Sequence, residues 1–431
     1  MNSFWRIFSL EFTAAVRSKS LALLLVASLA WMFAAPFVFV GDGTETGTRA
    51  IALHYSLGGV AALLVVTLLA SATGAIARER AAKRLQLTLV RPVRHAVIAL
   101  AKTAALASVG ALVLAAATVV EACRSDLSRT CRHVILPVMP TPQEEAAMMY
   151  DAFMKDPSTP APVRRAKKSV VLRLLAQRSL DRYDTVGTND TIRWTFKLGG
   201  DTTPDAPSVR LRFTNAYDVR DDVRGDLELR IGEDLWRGAV TNITQAIVEI
   251  PLYRVQTCEP AEGNAVLTEK AELKFRNCGK SPLMLRPRRD VNLLVPADGF
   301  GWNLLRAYVE LVAMLSLLIA FGVFLGAGLG RPVALFTAIV ALAVSEMSPS
   351  VIEQYPDELE TDRIDAIGLY ITRAAAEATH PVSSLEPLAK LSEDVCVERR
   401  EVARTAVVNI LLVPLALALL AALVIPRKIE A

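Results

Sequence analysis

The sequence lacks the short motifs by which many enzymes are recognised. No GxxxxGK[ST] phosphate loop, GxSxG nucleophile elbow, HExxH zinc motif or CxxC pair occurs among its 431 residues. Histidine is scarce, with four residues at His54, His95, His133 and His380, so acid–base catalysis or metal binding has little to build on. We expect a chain that is not an enzyme, binds no metal and carries no cofactor of its own.

An excess of charge of one sign is also missing. The formal net charge is only +4. The sequence has no tract in which lysine and arginine alternate with aromatic residues, which is the pattern typical of nucleic-acid binding. We therefore expect no nucleic-acid partner, and the placement of the charges is more informative than their sum.

Apolar residues, by contrast, are abundant and gathered into blocks. They make up 52% of the chain, and the mean hydropathy is +0.35, which is too apolar for an ordinary soluble enzyme. A helix needs about 20 apolar residues to cross a lipid bilayer. Six segments approach or reach that length and predict six transmembrane helices: residues 21–40, 57–75, 96–120, 303–326, 332–347 and 405–425.

Residues 1–20 precede the first apolar block and mix aromatic with charged side chains. Phe4, Trp5, Phe8 and Phe12 recur at helical spacing. An aromatic stripe beside charged positions is typical of a helix that lies in the membrane interface. We expect such an interfacial amphipathic helix before the first span.

A basic loop between the second and third apolar blocks sets the expected orientation. Residues 76–102 hold one acid, Glu79, and seven bases: Arg78, Arg80, Lys83, Arg84, Arg91, Arg94 and Lys102. Inter-span loops rich in lysine and arginine stay in the cytoplasm. This placement predicts a multi-pass protein of the cell membrane, taken as a bacterial inner membrane, with both termini cytoplasmic and residues 122–301 outside.

The same loop carries a short apolar stripe. Leu85, Leu87, Leu89 and Val90 follow the charged turn, and Pro92 then stops the segment. An amphipathic element lying flat on the membrane suits docking to a cytosolic partner. The alternative is a basic loop of some other multi-pass protein, without a docking role.

The loop resembles the cytoplasmic loop of ABC-2-type ABC transporter permeases. The resemblance rests on an acid among bases, spaced leucines, Arg-Pro-Val and a lysine that opens the next span, at Glu79, Leu85, Leu87, Leu89, Arg91, Pro92, Val93 and Lys102. It implies that the loop contains a coupling helix that contacts a separate ATPase subunit, so that ATP enters only through that partner. It also implies a second permease subunit, identical or related.

Residues 122–301 form a large polar insert between the third and fourth apolar blocks. Helical character at residues 144–155 and 163–180 gives way to segments with apolar residues at every second position, separated by turn residues. Several short strands of this kind predict an antiparallel β-sandwich. Members of the permease family usually have short outer loops here, so the insert departs from the family pattern.

Together these patterns predict a multi-pass α-helical membrane protein with an inserted β-rich extracytoplasmic domain. Residues 1–121 would hold the interfacial helix, spans 1–3 and the coupling loop, and residues 122–301 the outer domain. Residues 302–431 would hold spans 4–6 with an outer segment at 353–404.

Four of the five cysteines bracket the insert. Cys123 and Cys131 lie near its start, and Cys258 and Cys278 near its end. Two local disulfides in an oxidising compartment are one interpretation, and free thiols are the other. Cys396 is left over.

Two features inside the spans suggest specific roles. Glu310 lies in the fourth apolar block, where an acid is costly and by default faces a cavity or a partner. It is a candidate for the translocation path, although Arg306, one turn earlier, is an alternative structural partner. Gly322, Gly326 and Gly330 recur every fourth residue, which predicts a flat face for packing within or between subunits, or simply a looser helix end.

The function predicted from these patterns is that of the membrane-spanning permease subunit of an ABC-2-type exporter, powered by a separate ATPase subunit. The substrate is not encoded in any recognisable motif. The alternative is a multi-pass anchor that displays an extracytoplasmic binding or assembly domain and transports nothing.

Overall fold

The computed structural model describes residues 2–39, 45–83, 94–157, 159–164, 166–180, 182–198, 206–214, 222–244, 247–255, 270–353 and 386–430. The chain divides into two compact units. One, the helical unit, comprises Met1–Arg129, Gly299–Val351 and Tyr370–Ala431. The other, the β-rich unit, comprises Thr130–Asp298 and Ile352–Leu369.

The helical unit is built from helices that follow one another along the chain, most of them long and apolar. They are α1 (Asn2–Val16), α2 (Lys19–Val38), α3 (Glu45–Ala81), α4 (His95–Arg124), α9 (Phe300–Gly328), α10 (Arg331–Glu353), α11 (Glu386–Ser392), α12 (Arg399–Ala406), a π-helical stretch (Val407–Leu412) and α13 (Val413–Glu430). The final helix is the name used here for α12, the π-helical stretch and α13 together, because they form one continuous helix.

Four of these helices are long and apolar enough to cross a membrane: Gly47–Ala81, His95–Arg124, Phe300–Gly328 and Arg399–Ile425. Two further apolar helices, Ala22–Val38 and Arg331–Ala343, are shorter over the residues described. The four long helices indicate a membrane protein. They correspond to four of the six spans predicted from the sequence.

Helices α3 and α4 run in opposite directions. Lys102 of α4 binds Glu79 near the end of α3, while Gly110, further along α4, lies against Leu68, earlier in α3. We call the end of the helical unit that holds Glu79 and Lys102 the loop end, because residues 84–93 connect α3 to α4 there.

Helix α9 runs in the same direction as α3. Gly322 lies against Ala72, and further along both helices Arg80 donates to the Leu329 carbonyl. The final helix runs parallel to α9 as well, since the Asn303 side chain binds Val397 and Gly328 lies against Val424. We call the end that holds Asn303 and Val397 the far end.

One apolar core joins these helices. It includes side chains from α2, α3, α4, α9, α11 and the final helix. The larger side chains that are 1% exposed or less include Met32, Leu57, Leu64, Ile76, Leu114, Phe300, Ile319, Leu388, Leu391 and Ile425. Helix α11 has only seven residues, yet two of its leucines are fully buried in this core. Short as it is, α11 is therefore a packed part of the unit.

The described segments of the β-rich unit form three sheets. The strands are β1 (Thr130–Ile135), β2 (Asp184–Val186), β3 (Thr191–Lys197), β4 (Ser208–Arg212), β5 (Asp222–Ile231), β6 (Asp234–Ile243), β7 (Ile247–Pro251), β8 (Tyr253–Arg254), β9 (Lys270–Asn277), β10 (Leu283–Leu285) and β11 (Val291–Gly299). A four-stranded sheet has the order β1-β11-β4-β7, a five-stranded sheet the order β3-β9-β5-β6-β8, and β10 pairs with β2.

The two larger sheets bury their apolar faces in one common core. Leu211 and Leu293 come from the four-stranded sheet, and Leu227 and Phe275 from the five-stranded sheet. Burial alternates along the strands, as in β9, where every second residue is buried, so each strand has one face in the core. A β-rich domain is therefore present, as the alternating sequence predicted, and its two larger sheets share one core.

Strand β6 was missed by the sequence pattern. Its inward side chains include Trp236 and Val240, but Gly238 lies between them and interrupts the apolar alternation. A side chain at Gly238 would meet Leu252, Ile250 and the Pro251 carbonyl. The glycine allows the segment at residues 250–252 of the same chain to approach closely. Because a glycine replaces an apolar residue at this inward position, the alternation that would predict a strand is interrupted.

A helical pair forms a smaller core in the β-rich unit. Helices α5 (Pro142–Lys155) and α7 (Lys168–Leu180) flank the short α6 (Ala161–Arg164), and α8 (Pro287–Asp290) precedes β11. Glu145 of α5 accepts hydrogen bonds from Ser179 and Arg182. Burial alone would raise the pKa of Glu145. The two hydrogen bonds lower it by more than burial raises it, so the net pKa is below its ordinary value. The carboxylate therefore stays charged and ties α5 to the end of α7.

Candidate functional site

A buried lysine joins three helices at the loop end. The Lys102 side chain is 3% exposed, and its Nζ lies 2.7 Å from Glu11 Oε2 and 2.8 Å from Glu79 Oε1. A buried ammonium needs such partners, because an unpaired charge in an apolar region is costly. Through this one side chain α4 is fastened to α1 and to the end of α3. We call Glu11, Glu79 and Lys102 the loop-end brace.

An arginine extends the brace to a fourth helix. Arg80 donates from Nη1 to the Ala327 carbonyl at 2.5 Å and from Nη2 to the Leu329 carbonyl at 2.7 Å. The last carbonyls of a helix lack partners within it, and a guanidinium satisfies two of them at once. The end of α3 therefore caps the end of α9 next to the basic loop.

Helix α1 forms, as the aromatic spacing predicted, and packs against α4. The Phe4 and Phe8 rings lie 6.2 Å apart and the Phe8 and Phe12 rings 5.9 Å apart, both stacked. Trp5 is 57% exposed and Leu10 is 70% exposed. Glu11 lies on the partly buried face, so α1 has an inner face that carries the brace carboxylate and an exposed face that mixes apolar side chains with Arg6, Ser9 and Thr13.

The predicted coupling residues are only partly described. Glu79 has a partner within the chain, Lys102, although its side chain is 32% exposed. The other predicted contacts with an ATPase subunit, Leu85, Leu87, Leu89, Arg91 and Pro92, lie outside the described residues. The structure therefore describes where the two ends of the loop are fastened, at Glu79 and Lys102.

A second charged cluster lies toward the far end, around the predicted path residue Glu310. Glu310 is 9% exposed. The charges that act on it come from Glu401 of the final helix and from Lys390 and Glu386 of α11. Lys390 Nζ lies 2.9 Å from Glu386 Oε1 and 3.3 Å from Glu401 Oε2. Lys390 thus links two carboxylates, one of α11 and one of the final helix, and both of these elements pack against α9.

Arg306 does not serve as the structural partner of Glu310. Its Nη1 donates to the Val397 carbonyl at 3.2 Å. No ion pair joins it to Glu310 within the described part of the chain. The interpretation that Arg306 neutralises Glu310 one turn away is therefore wrong, because the guanidinium is directed to the backbone that follows α11.

That backbone is fastened to α9 by a buried asparagine. Asn303 Nδ2 donates to the Val395 carbonyl and Asn303 Oδ1 accepts from the Val397 amide, each at 2.8 Å. Asp394 forms a further ion pair with Arg129, 3.3 Å apart. Sequence reasoning missed this contact, because Asn303 and Val397 are almost a hundred residues apart and no local pattern links them.

The glycine face packs within the chain. A side chain at Gly326 would lie 2.4 Å from the Thr73 carbonyl oxygen, and one at Gly322 would lie 2.9 Å from the Ala72 Cβ. A side chain at Gly330 would meet nothing within 4 Å. Gly322 and Gly326 thus allow close contact between α9 and α3, while Gly330 is not part of that contact.

The cysteines do not form the two predicted local pairs. Cys123 and Cys278 are free and exposed, whereas Cys131 and Cys396 are disulfide-bonded. Cys123 belongs to the last turn of α4 and Cys131 is a buried residue of β1, so proximity in sequence did not decide the pairing. Pairs of Cys123 with Cys131 and of Cys258 with Cys278 are therefore wrong. Cys258 itself lies outside the described residues, and Cys396 is not left over.

The final helix contains a π-helical stretch, Val407–Leu412, directly after α12. Asn409 in this stretch is 1% exposed, and its Nδ2 has no hydrogen-bond partner among the described residues. Single π-helical turns within α-helices are frequent at functional sites. Among the described residues, His, Cys, Asp and Glu form no group of three or more that could hold a metal ion.

Comparisons of this chain with protein-family models, with curated proteins and with solved structures find no match. The class of protein therefore follows from the fold alone. It is a membrane protein whose described residues include four long apolar helices and an inserted β-rich domain.

Proposed function

We propose that this chain is the membrane-spanning permease subunit of an ABC-2-type exporter, powered by a separate ATPase subunit. The observation that carries the proposal is the loop-end brace. A loop that passes a movement to the membrane must be firmly fastened where it enters the helices. Lys102, with Glu11 and Glu79, provides that fastening at both ends of residues 84–93.

The brace also suggests which helices would respond. A partner that displaces residues 84–93 pulls on the end of α3 and the start of α4. Lys102 passes this displacement to α1, and Arg80 passes it to the end of α9 through the Ala327 and Leu329 carbonyls. Ion pairs and capped helix ends of this kind transmit rigid-body movements because they have few alternative geometries.

The finer features of the proposal follow the sequence. Six spans, cytoplasmic termini and an outer location for residues 122–301 agree with the basic loop. The chain would pair with a second permease subunit and two ATPase subunits in a bacterial inner membrane, and ATP would bind only to the partner.

Affinity purification of the full-length chain from its native membrane tests this proposal. We expect an ATPase subunit with a GxxxxGK[ST] motif to be recovered, together with ATP hydrolysis in the eluate. Recovery of extracytoplasmic proteins alone, without an ATPase, would contradict it. That result would favour the alternative of a multi-pass anchor, which the separate core of the β-rich unit also fits.

A further inference from the structure

The exposed face of α1 is different from its aromatic stripe. Phe4, Phe8 and Phe12 are half-buried, whereas Arg6 and Arg17 are exposed. An open groove of about 1060 Å³ follows this exposed face, and its lining includes Trp5, Arg6, Ser9, Leu10, Thr13 and Arg17. The face therefore combines two guanidinium groups and two hydroxyls with apolar side chains.

Four hydrogen-bond donors form one row along this face. Arg6, Ser9, Thr13 and Arg17 follow one another at intervals of three, four and four residues, which places them on the same side of a helix. A guanidinium donates hydrogen bonds and accepts none. Such a row matches a ligand that presents anionic oxygen atoms, as a phosphate group does.

The positive charge of this face is not balanced by an acid of the same helix. Glu11 is the one acid among residues 1–20, and its carboxylate binds the buried Lys102 ammonium. No ion pair joins Arg6 or Arg17 to an acid within the described part of the chain. The brace thus draws the carboxylate of α1 inward and leaves two guanidinium groups on the exposed face.

The loop end holds further exposed bases. Arg78 lies in the last turn of α3, Lys83 follows that helix, and Arg94 directly precedes α4; all three side chains are exposed. The nearby acid Glu79 binds Lys102, as Glu11 does. An excess of positive charge attracts a negatively charged partner, so the chemistry of this end favours an anionic surface.

Helix α4 places α1 at the level of lipid headgroups. The 30 residues of α4 rise about 45 Å, which matches the thickness of a bilayer with its headgroups. Lys102 lies about 10 Å from the start of α4, and α1 packs on α4. Glu11, which binds Lys102, therefore lies near the boundary between headgroups and hydrocarbon.

We propose that the exposed face of α1 binds the headgroups of anionic phospholipids. Arg6 and Arg17 contact the phosphate groups. These arginines are about 16 Å apart along the helix, so they bind different lipid molecules. Trp5 and Leu10, which are 57% and 70% exposed, lie against the acyl chains beside them.

The apolar side chains favour a lipid surface over an acidic protein as the occupant. Binding of an amphipathic helix to a membrane draws on buried apolar area and on attraction to anionic lipids together. The exposed face of α1 offers both. This interaction goes beyond the proposed transport function, and it applies equally to a multi-pass anchor.

Tryptophan quenching by brominated lipids tests the proposal. The full-length chain is reconstituted in two vesicle preparations of the same phosphatidylcholine and phosphatidylglycerol content. In one the phosphatidylglycerol carries bromine on its acyl chains, and in the other an equal amount of the phosphatidylcholine does. The signal of Trp5 is obtained by subtracting that of Trp5→Phe, which retains the other four of the five tryptophans.

We expect brominated phosphatidylglycerol to quench Trp5 more strongly. Both leaflets have the same composition, so the result does not depend on the orientation of the chain. Each base near an anionic surface strengthens binding about fivefold. Arg6→Gln with Arg17→Gln should therefore lower the preference for the anionic lipid by roughly tenfold to thirtyfold, and about 1 M salt should lower it in the wild type by screening.

Two further double variants separate charge from folding. Arg6→Lys with Arg17→Lys keeps the charge and should keep the preference. Arg193→Gln with Arg237→Gln removes the same charge from exposed positions of the β-rich unit and should behave like the wild type.

Equal quenching of Trp5 by the two brominated lipids in the wild type would overturn the proposal. An unchanged preference in Arg6→Gln with Arg17→Gln, or its loss in the lysine variant, would do the same. If that glutamine variant instead lost a co-purifying protein while both lipids quenched equally, the face would belong to a protein partner and not to lipid.

Discussion

At the scale of single residues, Lys102 connects more of the helical unit than any local pattern suggests. Its ammonium binds carboxylates from two other helices while remaining 3% exposed. Breaking a buried ion pair leaves uncompensated charge behind, whereas removing all its members together is much less costly. The brace therefore predicts strong coupling between the three residues.

Lys102→Met should lower the free energy of unfolding by about 1–3 kcal/mol, less than for a fully buried pair because Glu11 and Glu79 are 20% and 32% exposed. The triple variant with Glu11→Gln and Glu79→Gln should recover part of this loss. Thermal unfolding of the purified chain in detergent measures both. A loss in the triple variant equal to the sum of the separate losses would show that the brace is not a coupled unit.

Gly326 offers a prediction with a control on the same helix. Gly326→Ala places a methyl group 2.4 Å from the Thr73 carbonyl oxygen, so α9 and α3 must move apart. Overpacking of this kind costs about 1–3 kcal/mol. Gly330→Ala meets nothing within 4 Å and should leave the unfolding temperature in detergent unchanged. Equal unfolding temperatures for the two variants would contradict the close contact between α9 and α3.

The cysteines are open to a direct chemical test. Alkylation of the folded chain without reductant, followed by peptide mapping, should modify Cys123 and Cys278 and leave Cys131 and Cys396 to react only after reduction. Desolvation, with the carboxylate of Asp226, raises the pKa of the Cys278 thiol. Because the thiolate is the reactive form, its alkylation should be slow at neutral pH and quicken as pH rises.

Asp226→Asn is the matched variant for Cys278. It keeps the shape of the side chain and removes the charge that raises the pKa, so Cys278 should react faster at neutral pH while the rate at Cys123 is unchanged. An unaltered rate at Cys278 would show that Asp226 does not control this thiol.

What the sequence reveals at this scale depends on distance along the chain. Glu310 was recognisable because an acid within an apolar block is unusual by itself. Its neighbours Glu386, Lys390 and Glu401 were not, because the fold brings them together from another part of the chain. The predicted cysteine pairs were wrong for the same reason, because they assumed that cysteines close in sequence are also close in space.

At the scale of elements, the loop between α3 and α4 carries the central functional prediction. If residues 84–93 dock on an ATPase, Leu85 and Leu89 form the i, i+4 pair that a helix would present. Leu85→Ala with Leu89→Ala should weaken docking by roughly tenfold to a hundredfold, as loss of buried leucine anchors commonly does. Co-purification of the ATPase and abundance in the membrane measure docking and insertion together.

Lys83→Ala is the control for that experiment, because it removes a charge next to the stripe without altering an apolar side chain. It should leave co-purification unchanged. Normal co-purification of the double leucine variant would argue against docking through this stripe. Glu79→Ala should act chiefly through the brace, since its carboxylate binds Lys102.

Periodicity located most of the long helices and many of the strands, because an amphipathic or fully apolar segment repeats its signal along its own length. The short elements escaped it. Helix α11 is held by two buried leucines and one lysine, too little repetition to stand out. Strand β6 lost its alternation at Gly238, where contact with a neighbouring chain segment matters more than local pattern.

At the scale of the whole molecule, the orientation rests on the basic loop and can be tested by labelling. In a Cys123→Ser, Cys258→Ser, Cys278→Ser background, a cysteine placed at Asp222 should react with a membrane-impermeant maleimide in intact cells, and one placed at Lys83 should not. The same cysteine at Lys83 should react once the cells are opened. Labelling at Lys83 in intact cells would reverse the predicted orientation.

The parallel course of α9 and the final helix has a consequence for how often the chain crosses. Asn303 meets Val397 at one end and Gly328 meets Val424 at the other, so both helices are traversed in the same sense. Helix α9 ends at the loop end and the final helix begins at the far end. Residues 329–396, which connect them, must therefore lead from the loop end back to the far end. Helix α10 is the long helix described in this interval, and its 23 residues rise about 35 Å, against about 30 Å for a hydrocarbon core. Counting directions instead of apolar residues predicts that α10 makes this return.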